Sequence, residues 1–97
     1  VADDIALPFG SLRLKPKGSA AGHNGLRNIE EILGTQHYGR LRFGIGNNYP
    51  PGKQVDYVLG QFEPKELEQI SAHVKKASEM VKSFCLSGAD VTMNLYN

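Results

Sequence analysis

The sequence predicts a small α/β domain, and three observations predict it. Residues 11–15 and 40–45 alternate polar and apolar side chains, the period-two pattern of half-buried strands. Residues 26–33 and 64–84 carry apolar side chains at spacings of three and four, the pattern of helices with one apolar stripe. Clusters of Gly, Pro and Asn separate these segments, and no internal repeat, low-complexity tract or linker interrupts them. Ninety-seven residues suit one domain and leave little room for a second.

Asp3 and Asp4 precede Ile5-Ala6-Leu7-Pro8, at the end of an extended segment. In Ser11-Leu12-Arg13-Leu14-Lys15, Arg13 and Lys15 fall on one face and Leu12 and Leu14 on the other. Pro8 and Gly10 before it, and Pro16 to Gly18 after it, break the pattern. Residues 18–25, Gly-Ser-Ala-Ala-Gly-His-Asn-Gly, form a loop of very small side chains. The loop feeds a helix in which Leu26, Ile29, Ile32 and Leu33 share one face, Arg27, Glu30 and Glu31 the other, with Gly34 as its stop.

Next, Leu41, Phe43 and Ile45 face the core, while Arg40 and Arg42 share the opposite, polar face. Gly46 to Lys53 is a turn-rich exposed loop. Val55 to Gly60 is too short for periodicity to separate strand from helix. Pro64 opens the clearest helix, whose apolar stripe is Leu67, Ile70, Val74, Ala77, Val81 and Phe84. Gly88 ends it, and residues 89–96 form a last short helix. Two clear strands are too few for a stable sheet with helices packed on it, which points to part of the fold being missing or supplied by another chain.

Composition narrows the function classes. With 40 % hydrophobic and 22 % charged residues, wholesale disorder is excluded. No run approaches the roughly 20 apolar residues of a membrane span, and no basic-then-apolar N-terminal signal is present, so no membrane partner is expected. A single cysteine cannot form an internal disulfide, so the reducing cytoplasm is the default compartment. That cysteine, Cys85, ends an apolar stripe without an activating neighbour and reads as a buried packing residue. Neither His37 nor His73, on the polar side of the long helix, has a spaced partner for a metal, and no metal is expected. The net charge is only +1, but between Ile5 and Ile29 there is no acid and there are four cations, Arg13, Lys15, Lys17 and Arg27. An acid-free basic stretch suits a phosphate-bearing partner; its plainer alternative is a solvated strand face.

Candidate chemistry gathers in three places. A carboxylate at a strand end, Asp3 or Asp4, can orient a histidine and stabilise its protonated form, or can be a solvated turn acid. The step Gly22-His23-Asn24-Gly25 into the helix lets a ligand approach the backbone closely, and free amides there attract anions and developing oxyanions. Asn24 offers a donor and an acceptor to a carbonyl or a water, or else caps the helix; His23 is a candidate base or a structural residue of the joint. Lys15 and Arg42, on the polar faces of two strands, can clamp a phosphate if those strands are neighbours. No glycine-rich nucleotide fingerprint or P-loop is present.

These blocks together resemble bacterial-type peptidyl-tRNA hydrolase. The resemblance is carried by Asp3-Asp4-Ile5-Ala6-Leu7-Pro8-Phe9-Gly10, Leu12-Arg13-Leu14, Lys17-Gly18-Ser19 and Gly22-His23-Asn24-Gly25-Leu26, then by residues 40–46 and 55–60. It spans essentially the whole chain and implies a mixed β-sheet flanked by helices in three layers, α/β/α. Residues 1–97 would be the C-terminal portion of a single domain about twice as long. The implied reaction is hydrolysis of the ester joining peptide to tRNA in peptidyl-tRNA, without metal or cofactor, by a cytoplasmic and monomeric full-length protein. Asp3 is implied to pair with a catalytic histidine from the family's other half. Asn24 would position water and the peptide carbonyl, and the Gly22 amide would face the peptide. Lys15 and Arg42 would grip the tRNA acceptor end through its phosphates. His23 matches the GHNG block and not the catalytic base, so the fragment alone is expected to be inactive. A glycine often stands in the family where this chain has Ala21. The competing expectation is a non-catalytic RNA-binding module on the same fold, resembling plant organellar splicing factors; retention of Asp3 and Asn24 favours the enzyme.

Overall fold

A computed structural model describes all 97 residues, Val1–Asn97. Three short strands, β1 (Ala2–Asp4), β2 (Leu12–Lys15) and β3 (Arg40–Gly44), form one sheet in the order β1-β3-β2. β1 runs parallel to β3 with Asp3 level with Phe43, and β2 runs antiparallel with Arg13 opposite Arg42 and Lys15 opposite Arg40. The sheet is therefore mixed, and its third strand is the extended segment that ends at Asp4. The turn after β1 folds back tightly on β3: a Cβ at Gly44 would collide with the Pro8 carbonyl and with Leu7.

The helices are α1 (Asn24–Leu33), α2 (Gln54–Leu59) and α3 (Pro64–Tyr96). α1 stops at Gly34, whose left-handed φ of 71° lets its N–H return to Glu30 O. The segment whose period left strand and helix undecided is α2, held beside the end of β3 by a hydrogen bond from the Tyr57 hydroxyl to Ile45 O. α3 opens with Pro64 and a capping box between Glu63 and Glu66, and Gly88 (φ 85°, ψ 178°) breaks it before the expected last helical segment. No helix is long and apolar enough to cross a membrane.

Leu12, Leu14, Leu41 and Met80 form the buried core, with Phe43, Ala77, Ala89, Met93 and Tyr96 packed against it. The inward side of β2 and β3 is thus the one the alternation predicts, but α3 meets it through a different line. Met80 is 1 % exposed, while Val74 and Val81 of the expected stripe are about half exposed. His73, expected on the polar side, packs edge-on against Phe9 and Phe43 at ring distances of 5.2 and 6.2 Å. The apolar band of α3 is broader than the surface the sheet covers, and the sheet takes the flank running His73, Ala77, Met80. Cys85, expected to be buried, is exposed for the same reason.

The other sheet face also departs from expectation. Arg40 and Arg42 do share it, yet Arg40 is 2 % exposed. Glu30 of α1, the Tyr38 ring and the carbonyls of Ser19 and Gln36 enclose its guanidinium, so helices flank the sheet on both sides. At the outer edge of β2, the Asn97 side chain acts as a strand residue would: Oδ1 accepts from Leu14 N–H at 2.8 Å, and Nδ2 donates to Leu14 O at 3.0 Å.

Candidate active site

Alternation along β1 sends its two carboxylates to opposite faces. Asp4 goes to the arginine face, where Oδ2 accepts from Arg42 Nη1 at 3.1 Å and Oδ1 accepts from Ala6 N–H at 2.8 Å. Asp3 goes to the other face, level with Phe43, and its Oδ1 lies 2.9 Å from His23 Nε2. Oδ2 of Asp3 makes no hydrogen bond within the chain.

The loop before α1 explains why Asp3 meets His23. Ala21 and Gly22 take left-handed φ values of 51° and 81°, which turn the chain sharply into the helix. Glycine adopts that conformation freely, whereas Ala21 incurs a steric cost there. His23 is then the N-cap, and its Nδ1 accepts from Leu26 N–H at 3.1 Å. Because Nδ1 accepts, the ring proton sits on Nε2 and is donated to Asp3. Both nitrogens of His23 are thereby engaged.

Asn24 is the first helical residue rather than the cap, and its Oδ1 accepts from Arg27 Nη2 at 2.7 Å. The backbone N–H groups of Gly22, Asn24 and Gly25 have no partner within the chain, so three donors are free at the positive end of the α1 dipole.

Asp3, Asp4, Gly22, His23, Asn24 and Arg42 border one cleft of about 750 Å³, walled on its far side by Val55, Val58 and Leu59 of α2. Four of the five residues predicted from sequence come together here: Asp3, Gly22, Asn24 and Arg42. Lys15 does not line the cleft. It stands exposed on the same sheet face as Arg42, one step along β2, and Arg13 is the residue directly opposite Arg42. Arg42 is less free than its sequence position suggests, since Nη1 is held by Asp4 and Nη2 donates to Ser19 O at 3.3 Å. The Asp3–His23 contact was not visible in the sequence; no spacing rule links positions twenty residues apart. No three His, Cys, Asp or Glu side chains gather in a way that would hold a metal ion. Chemically, the cleft offers a carboxylate with one free oxygen, a carboxamide, and backbone donors at a helix start. Such a set can orient an imidazole and steady a developing oxyanion.

The family model described as peptidyl-tRNA hydrolase matches residues 1–97. Over the same residues the chain is 61 % identical to the peptidyl-tRNA hydrolase of Parabacteroides distasonis and 59 % identical to that of Porphyromonas gingivalis. It is covered completely in both alignments and spans 52 % of each relative, about half their length. The crystal structure of peptidyl-tRNA hydrolase from Acinetobacter baumannii superposes with a TM-score of 0.86 at 31 % identity, over 99 % of this chain and 49 % of that one.

Proposed function

Since the chain belongs to the peptidyl-tRNA hydrolase family, we propose that it supplies part of the centre of an enzyme that hydrolyses the ester bond of peptidyl-tRNA and returns free tRNA to translation in the cytoplasm. One observation carries the reading: the Asp3 carboxylate, the Asn24 carboxamide and the unpartnered amides of Gly22, Asn24 and Gly25 border a single cleft.

The general base comes from outside these residues. His23 has both nitrogens engaged, His73 is packed on Phe9 and Phe43, and His37 stands in the loop before β3. An incoming imidazole takes the free Oδ2 of Asp3, which orients the ring and stabilises it once it has taken a proton from water. Asn24 positions that water and the ester carbonyl, and the amide donors hold the oxyanion as the tetrahedral intermediate forms. Lys15, exposed and in no ion pair, makes the larger contribution to holding the acceptor-end phosphates; Arg42 adds what its bonds to Asp4 and Ser19 leave available. The full-length enzyme works as a monomer.

The test uses the 97-residue chain with an N-blocked aminoacyl-tRNA and with an acceptor-stem minihelix. Expected are no ester cleavage and salt-dependent binding, with the log–log salt slope of Lys15→Ala shallower by about 0.9, one phosphate contact. Cleavage by the chain would overturn the external base, an unchanged slope would remove Lys15 from the clamp, and absence of binding would overturn the substrate.

A further inference from the structure

The most deeply buried charge in the molecule is outside the cleft. The side chain of Arg40 is 1 % exposed. Its Nη1 donates to Ser19 O at 3.0 Å and to Glu30 Oε1 at 3.4 Å, its Nη2 donates to Gln36 O at 2.9 Å, and its guanidinium lies 4.0 Å over the Tyr38 ring. Ser19 and Gln36 stand at opposite ends of one stretch of chain, the loop that carries Gly22 and His23 followed by α1. Gln36 O also accepts from Gly18 N–H at 3.3 Å, so the two ends are joined to each other as well as to Arg40.

That loop has little else to hold it. Between Gly18 and Gly22 its side chains are a hydroxymethyl and two methyls, which bury almost nothing. Its other fixed points are a bond from His23 N–H to Ala20 O, the His23 Nε2 contact with Asp3 Oδ1 at 2.9 Å and a longer bond from Arg42 to Ser19 O. Two left-handed residues, Ala21 and Gly22, follow at once, so a small shift at Ser19 rotates everything downstream.

A buried guanidinium is a poor device for stability alone, because desolvation offsets most of what its contacts contribute, and here Nε is left without a partner. It is a good device for fixing geometry, because its N–H donors lie in one rigid plane. We infer that Arg40 is a positioning residue of the candidate site: by tying Ser19 and Gln36 to β3 it sets where Gly22, His23 and Asn24 stand against Asp3. The inference rests on reading the Gly22–Asn24 loop as the substrate-binding loop. Its test measures the loop without substrate, so it fails independently of the cleavage and tRNA-binding results.

The experiment is amide exchange and His23 ring nitrogen spectroscopy on the chain and on its Arg40→Met and Arg40→Lys variants. In both variants the amides of His23 and Leu26 are expected to exchange at least about tenfold faster, while those of Leu14 and Leu41 stay within about twofold. The His23 ring is expected to lose its single Nε2–H tautomer. Lysine fails to rescue because a point charge cannot span two carbonyls and a carboxylate. Unchanged exchange at His23 and Leu26 would overturn the inference, and so would full rescue by Arg40→Lys. Acceleration of the core amides by the same factor, or loss of the fold in both variants, would make Arg40 an ordinary stabilising residue and overturn it equally.

Discussion

His23 does two things at once, and a pair of substitutions separates them. Its Nδ1 caps α1 through Leu26 N–H, and its Nε2 holds Asp3. Removing a side-chain cap costs about 1 kcal/mol, within a range of roughly 0.5–2. The contact with Asp3 adds less, because the Asp3 side chain is 41 % exposed and pairs of that exposure contribute about 0–1 kcal/mol. His23→Ala is therefore expected to lose about 1–2 kcal/mol, or about 4–8 °C in Tm for each kcal/mol in a domain of this size. His23→Asn restores a side-chain acceptor at the cap, where Asn is among the best residues, but its amide is too short to make both contacts. It should remain within about 0.5 kcal/mol of the parent. Thermal and urea unfolding followed by far-UV circular dichroism measure both. If His23→Asn loses as much as His23→Ala, the stabilisation runs through Asp3 and the capping argument is wrong.

Two further outcomes follow from the core and the sheet edge. Met80→Ala should lower the unfolding free energy by about 2–5 kcal/mol, whereas Val81→Ala next to it should cost far less; equal urea midpoints would mean that α3 meets the sheet through another face. Asn97→Ala should cost about 1 kcal/mol and accelerate amide exchange at Leu14 but not at Leu41, and equal acceleration at both would refute the edge contact.

Much of this was legible in the chain, because periodicity reports which side of an element is apolar. The split of Leu12 and Leu14 from Arg13 and Lys15 is seen in β2 as expected, and Leu41 and Phe43 face α3. Periodicity does not report what covers the other side. Alternation puts Arg40 on the polar face beside Arg42, but Glu30 and the carbonyls of Ser19 and Gln36 enclose it, and the first two lie ten and twenty-one positions away in sequence. In α3 the band of apolar residues is wider than the sheet's footprint. Met80 and His73 occupy the covered flank, and polarity alone sets His73 outside the stripe although its spacing to Ile70 and Ala77 is helical. The glycine-rich step into α1, which stands out because small residues there have few packing explanations, borders the cleft. Its internal wiring, Asp3 to His23 and Asp4 to Arg42, depends on strand order, and two visible strands cannot specify that.

The contact between Asn97 and Leu14 spans 83 positions of chain. During synthesis β2 leaves the ribosome well before the amide that occupies its outer edge, which is made more than eighty residues later, after all of α3. Until then that edge presents a free N–H and C=O beside an apolar row that Met80 has not yet covered. The nascent chain therefore passes through a stage in which the outer edge of β2 is open to any other strand. Closure of the fold waits for translation rather than for diffusion, since loop entropy grows only slowly with length whereas elongation proceeds at about 5–20 residues per second.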